Sequence, residues 1–201
     1  MDKILLIGGA PTVGKSYIAR KLAEEFNFPW ISTDSIREQM RKIVTKSDYP
    51  NLFDFVESSG QDAVEYLSSH SAKEIIEDQN RESIDVWKGA KAIIDTDYVW
   101  NSFIVEGIAI LPSLIASIKA ENKIIKTVFL VNSDEQRIRE VIFKRGLWDD
   151  ADKYPDSVKE KEVEWTIAFC NWIKEECAEY NLPVVDVSQP NYYEQIIEII
   201  K

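Results

Sequence analysis

Gly9-Ala10-Pro11-Thr12-Val13-Gly14-Lys15-Ser16 decides the reading of this chain. It follows a short apolar run, Lys3-Ile4-Leu5-Leu6-Ile7, which suits a strand buried on both faces. After it the period changes. Ile18, Ala19, Leu22, Ala23 and Phe26 recur at helical spacing, with Arg20, Lys21, Glu24 and Glu25 opposite them. The eight residues match G-x-x-x-x-G-K-[ST] between a strand and a helix, the context that gives the pattern meaning. Glycines let the backbone curl so that successive N–H groups face inward, and the next helix adds its own N-terminal N–H groups and dipole. Such a cradle takes phosphate. Lys15 then reaches the β- and γ-phosphates of a nucleotide, and the Ser16 hydroxyl suits Mg²⁺.

Strand and helix patterns alternate through the rest of the chain. Pro29 to Ser32 reads as a second strand, with Thr33 or Asp34 as N-cap of a helix through Ile36, Met40 and Ile43. Phe103-Ile104-Val105 is a third strand ending at Glu106-Gly107, and Pro112 to Asn122 a helix. Ile124 to Val131 is a fourth strand. Asn132-Ser133-Asp134 caps a helix carrying Ile138, Val141 and Ile142. Lys159 to Tyr180 reads as a long helix, Pro183 to Val187 as the last strand and Tyr192 to Ile200 as the last helix. The pattern predicts an α/β fold of three layers, a five-stranded parallel sheet flanked by helices. Residues 47–102 form a helical insertion, expected to cap the substrate, and the polar stretch 146–157 is expected to be a lid loop. The whole, 1–201, reads as one domain. Ligands of such sheets bind beyond the carboxyl ends of the strands, so the residues there carry the chemistry.

At the second strand end stands Asp34, placed to orient or deprotonate an attacking hydroxyl. Arg37 lies one helical turn on, where a guanidinium fork suits a phosphate or carboxylate, and Arg41 follows on the same reasoning. Glu106 ends the third strand and suits a magnesium-bound water or the nucleophile. Arg137, Arg139, Lys144 and Arg145 precede the lid stretch. Arg145, nearest to it, is the first choice for meeting charge on a transferring phosphoryl group. Trp148 and Trp165 are expected to be core aromatics, with Trp87 and Trp100 packing the insertion onto the sheet.

The chain resembles P-loop kinases of the nucleoside-monophosphate-kinase-like kind. Gly8 to Ser16, Ile31-Ser32-Thr33-Asp34-Ser35-Ile36-Arg37-Glu38 and Phe103-Ile104-Val105-Glu106-Gly107, with Pro112 beyond, are most similar to the 2-phosphoglycerate kinase group. Zeta-toxin-like kinases and chloramphenicol phosphotransferase share the plan more distantly. Where the group has a histidine after the third-strand glutamate, this chain has Ile108-Ala109-Ile110 after Gly107. The resemblance implies a phosphotransferase using ATP and Mg²⁺. Its catalytic residues would be Lys15, Asp34 and Arg145. Its nucleotide would lie on Gly9, Ala10, Pro11, Thr12, Val13, Gly14, Lys15, Ser16 and Tyr17. Its acceptor, a small molecule with a hydroxyl, would lie on Asp34, Arg37, Arg41 and Glu106. The metal would lie on Ser16, with Glu106 acting through water. A nucleotide-binding switch acting through partners is the rival from another class, and Asp34 disfavours it because a switch needs no acceptor hydroxyl.

Composition sets the outer limits. The chain has 201 residues, 45% hydrophobic, 29% charged and 11% aromatic, enough for a core and against disorder. Net charge is −11 and unevenly placed: +3 over residues 1–46, −8 over 47–103 and −6 over 104–201. The pI of about 4.7 and the missing basic patch argue against a nucleic-acid partner. The acidic insertion suits an anionic acceptor only if Arg37, Arg41 and Arg81 line the pocket. No apolar run reaches membrane-spanning length, and the N-terminus reads as no signal peptide, so a cytoplasmic protein with no membrane partner, monomeric or homodimeric, is expected. Cys170 and Cys177, seven apart in a helical pattern, read as buried thiols, and the single histidine, His70, as a solvated helix residue.

Overall fold

The computed structural model describes residues 3–54, 61–96, 100–118, 124–146 and 151–201. Five strands, β1 (Lys3–Gly9), β2 (Trp30–Ser32), β3 (Phe103–Glu106), β4 (Ile124–Val131) and β5 (Val184–Asp186), form one parallel sheet in the order β2-β3-β1-β4-β5. This is the three-layer arrangement expected of the P-loop fold. The apolar runs make the centre: Ile4 to Ile7, Phe103 to Val105 and Val128 to Val131 are fully covered. Parallel strands need crossovers, and the helices that supply them cover both faces.

The helices begin and end where local chemistry dictates. α1 (Lys15–Phe26) stops at Asn27, which takes the left-handed conformation and sends its N–H back to the Ala23 carbonyl. α2 (Thr33–Ile43) is capped by Ser32, not by Thr33 or Asp34: the Ser32 hydroxyl accepts from the Ser35 N–H at 3.1 Å. The short helices α3 (Asn51–Asp54) and α4 (Gln61–Ser69) lead to α5 (Ala72–Asp95), which opens with a reciprocal Ser71–Glu74 capping box. Trp87 is buried in the core and Trp100 tilts over Phe103 at 5.8 Å, so the insertion is pinned to the sheet by aromatics as expected.

α6 (Pro112–Ala116) is shorter than the sequence pattern suggests. The Ser117 N–H turns to the Leu114 and Ile115 carbonyls and closes the helix, and the end of the expected stretch lies outside the described residues. α7 (Glu135–Arg145) is capped by Asp134. α8 (Asp156–Glu179) starts three residues before the expected Lys159, because Pro155 and the acidic Asp156 form a favourable first turn. Part of the expected lid, 147–150 with Trp148, lies outside the described residues; Ala151–Lys153 form a single 3₁₀ turn. α9 (Tyr192–Ile200) closes the fold. Trp165, Cys170 and Cys177 all face the core from α8, and burial pushes the Cys177 thiol up to about 12. His70 is half-buried, its ring stacked on Tyr66 at 4.2 Å, where a solvated residue was expected. Among the described residues no helix is long and apolar enough to cross a membrane.

β1 and β4 meet closely at their carboxyl ends. Gly9 has φ 139°, and a Cβ there would lie 2.2 Å from the Leu130 carbonyl oxygen, which belongs to backbone and cannot yield. Gly9→Ala should therefore lower unfolding free energy by about 2 kcal/mol or more. Chemical denaturation measures it; a loss under about 0.5 kcal/mol would mean the strands part at little cost.

Candidate active site

The sheet register builds the site. Ser32 on β2, Glu106 on β3 and Ile7 on β1 lie side by side, so the turn after β1, the start of α2 and the end of β3 converge at one edge. The loop after β1 alternates its backbone: Gly9 at φ 139°, Thr12 at φ 58° and Gly14 at φ 88°. Among the described residues, the N–H groups of Thr12 through Tyr17 donate to no carbonyl and no side chain. A Cβ on Gly14 would meet nothing within 4 Å, so the space over the curl is open. Six consecutive unpaired backbone donors at a helix N-terminus form an anion nest. Ser16 and Tyr17 are exposed at its mouth.

The Lys15 ammonium folds back onto the Ala10 carbonyl at 2.6 Å. Burial holds its pKa below the usual lysine range, while the negative charges of Glu106 and Asp34 work against that shift. Glu106 is 2% exposed. Burial pushes its carboxyl above the ordinary range, with Lys15 and the neighbouring Ser16 hydroxyl pulling the other way. Among the described residues no group of three or more His, Cys, Asp or Glu could hold a metal alone. An exposed serine hydroxyl with one carboxylate behind it fits Mg²⁺, which takes most of its ligands from phosphate and water.

Beside the nest stands α2. Because Ser32 caps the helix, the Asp34 side chain has no capping duty and is 62% exposed, 3.4 Å from Nη1 of Arg37. Thr33 anchors this start: its hydroxyl is buried, has no hydrogen-bond partner among the described residues, and sits where a Cβ on Gly107 would be, 1.8 Å away. Gly107, at φ 148°, therefore lets α2 close against β3 and fixes where Asp34 emerges.

Arg37 and Arg41 differ in kind. Arg41 is 8% exposed and fully engaged, with Nε on the Leu52 carbonyl at 2.5 Å, Nη1 on Glu38 at 2.6 Å and Nη2 on Glu82 at 2.6 Å. Arg37 is 20% exposed and held by longer contacts: Nε to Glu38 at 3.2 Å, Nη1 to Asp34 at 3.4 Å and Nη1 to Glu82 at 3.5 Å. Burial opposes charge on Glu38, yet the two guanidiniums together hold its carboxyl below the usual range. Arg81, considered above for the pocket, is exposed and pairs with Asp78.

The structure thus brings together Lys15, Ser16, Asp34, Arg37 and Glu106, with Arg41 behind them. Arg137, Lys144 and Arg145 are exposed, Arg145 ends the helix beside residues 147–150, and Arg139 pairs with Glu160 and lies over the Phe143 ring. Sequence reasoning missed Glu82. The signal was there: on α5 it falls in the buried register with Ile75, Ile76, Gln79, Ser83 and Val86, a place where a lone carboxylate needs a partner.

No family model matches the chain. It is 32% identical over 145 residues to the 2-phosphoglycerate kinase of Methanocaldococcus jannaschii, covering 71% of this chain and 46% of that protein. It is 32% identical over 139 residues to that of Methanothermobacter thermautotrophicus, covering 66% and 44%. The chain thus spans under half the length of these relatives. Among solved structures, a gluconokinase from Sinorhizobium meliloti aligns with TM-score 0.45 and 18% identity over 99% of this chain and 87% of its own. The shikimate kinase of Aquifex aeolicus aligns with TM-score 0.46 and 16% identity over 97% and 94%.

The raised pKa of Glu106 has a measurable sign. An unfolded glutamate titrates near 4.5 and the folded one higher, so between the two values the native state holds more proton. Its contribution to stability therefore falls as pH rises through that window. Glu106→Gln lacks this dependence, so its melting temperature relative to the parent should climb as pH rises above about 4.5. Parallel thermal melts check it; a pH-independent difference would contradict the assignment.

Proposed function

We propose that this chain is an ATP-dependent phosphotransferase that moves the γ-phosphate to a hydroxyl of a small molecule bearing an acidic group. One observation carries the reading: a run of unpaired backbone donors with Lys15 beside it shares the carboxyl edge of the sheet with a carboxylate and guanidinium pair, Asp34 and Arg37, in the first turns of α2 beyond β2. One half of that arrangement suits a polyphosphate and the other an acceptor. A nest alone would equally suit a nucleotide switch, which has no use for the pair. The resemblance of the chain to proteins named 2-phosphoglycerate kinase agrees with it, and 2-phosphoglycerate is the first acceptor to try.

The amides of Thr12 to Tyr17 take the phosphate oxygens. Lys15 exchanges its bond to the Ala10 carbonyl for the β- and γ-phosphates, so an internal acceptor keeps it in place until the nucleotide arrives. Ser16 would hold Mg²⁺, with Glu106 behind it to order a water of the ion's shell, and the ion would supply neutralisation of charge on the phosphates. Asp34 accepts or aligns the proton of the acceptor hydroxyl. Arg37 takes the acid of the acceptor, and Arg145, from the end of α7, closes over the transferring group. The insertion α3 to α5 caps the acceptor side.

The test uses γ-labelled ATP, Mg²⁺ and 2-phosphoglycerate or a related hydroxy acid. Lys15→Ala should lower transfer by about 10²- to 10³-fold, and Asp34→Asn by about 10²- to 10⁴-fold. Asp34→Asn should still bind ATP. Full transfer by Asp34→Asn beside a dead Lys15→Ala would remove Asp34 from the chemistry.

A further inference from the structure

Glu82 belongs to α5, in the acidic insertion, yet its carboxylate is buried among residues of the acceptor side. Its Oε1 accepts from Nη2 of Arg41 at 2.6 Å. Its Oε2 accepts from Nε2 of Gln79 at 3.1 Å and lies 3.5 Å from Nη1 of Arg37. One carboxylate therefore faces two guanidiniums that sit one turn apart on α2. The contacts are unequal. Arg41 is clamped by short bonds and completes a bridge from α2 to the Leu52 carbonyl of α3. Arg37 is held by three carboxylates at 3.2 to 3.5 Å. Among the described residues its Nη2 has no acceptor, so one edge of the fork is open.

Like charges this close need a counterion between them. Without Glu82, Arg37 and Arg41 would repel, and Arg37, attached to α2 by a long flexible stem, would have only its neighbours Glu38 and Asp34 to follow. Both of those are more than half exposed and give weak, screened pairing. The buried carboxylate is the fixed point of the three.

We propose that Glu82 is a positioning residue for the acceptor: from the cap helix it aims the open edge of the Arg37 guanidinium at the acidic group of the acceptor, one turn from the Asp34 carboxylate that takes the hydroxyl. The kinetic part of this inference rests on the phosphotransferase reading. It assigns the acidic insertion a purpose. Its buried acid holds the arginine that binds substrate, and the loose contacts of Arg37 are ones an arriving oxyanion can displace.

Two measurements test it. The first needs no acceptor. The Arg37 Nε–H resonance, followed by ¹⁵N relaxation, should report a rigid side chain in the parent protein, with an order parameter above about 0.8, and a mobile one, below about 0.6, in Glu82→Gln. The second is a double-mutant cycle with 2-phosphoglycerate as acceptor. Glu82→Gln should raise acceptor KM about tenfold and leave the KM for ATP within about twofold. In the Arg37→Ala background it should change neither. Glu82→Asp, which keeps the charge and shortens its reach, serves if the glutamine variant does not fold, and should fall between. An Arg37 side chain equally ordered with and without Glu82 overturns the proposal, and so does an acceptor KM effect that persists without Arg37. If the parent protein transfers phosphate to no hydroxy acid, the phosphotransferase reading fails, while the relaxation measurement still decides whether Glu82 fixes Arg37.

Discussion

Backbone N–H groups from Thr12 to Tyr17 have no acceptor within the described protein, and a folded chain keeps such donors only where something from outside can bond them. This constraint shapes everything around it. It requires left-handed backbone at Thr12 and Gly14. It requires Gly9 to lie tight against Leu130, so that the loop springs from the end of β1 at the right height. It also leaves Lys15 needing a temporary partner, which the Ala10 carbonyl supplies. The parallel sheet answers by stacking three strand ends in register, with Ser32, Glu106 and Ile7 in one row. The acid on β3 and the helix after β2 are thereby brought up to the nest.

The charge of the molecule has the same logic. A chain of net charge −11 is an unpromising host for anions. Yet the acids nearest the site are paired internally. Glu82 and Glu38 face Arg37 and Arg41, and Glu106 faces Lys15. What is left over on the open side is an arginine edge and six amide dipoles, with the exposed Asp34 carboxylate beside them. The insertion, acidic as a whole, presents its buried acid inward and lets its exposed acids meet water.

Much of this could be read from the sequence because it is written in local patterns. Continuous apolar runs mark buried parallel strands, so all five were found close to their true ends. The nest was legible from two glycines and a lysine at fixed spacing. Asp34 and Arg37 were legible because they follow a strand end by a few residues. Other features depend on contacts distant in sequence. Ser32 takes the cap because its hydroxyl reaches the Ser35 N–H, a choice that Ser32, Thr33 and Asp34 could each have made on propensity alone. Arg41 looked like a second substrate arginine until its partners on α5 and α3 appeared, 41 and 11 residues away. Glu82 was missed: it stands in the buried register of α5, and its partners could not be named from periodicity.

Where the γ-phosphate goes decides whether this chain is a phosphotransferase. The protein is incubated with Mg²⁺, γ-labelled ATP and a fractionated pool of small metabolites, and the label is followed. The label should move to one acidic, hydroxyl-bearing metabolite in amounts stoichiometric with ATP consumed. Label released only as inorganic phosphate, or left on ATP with every fraction, would contradict it and leave a nucleotide-binding protein without an acceptor.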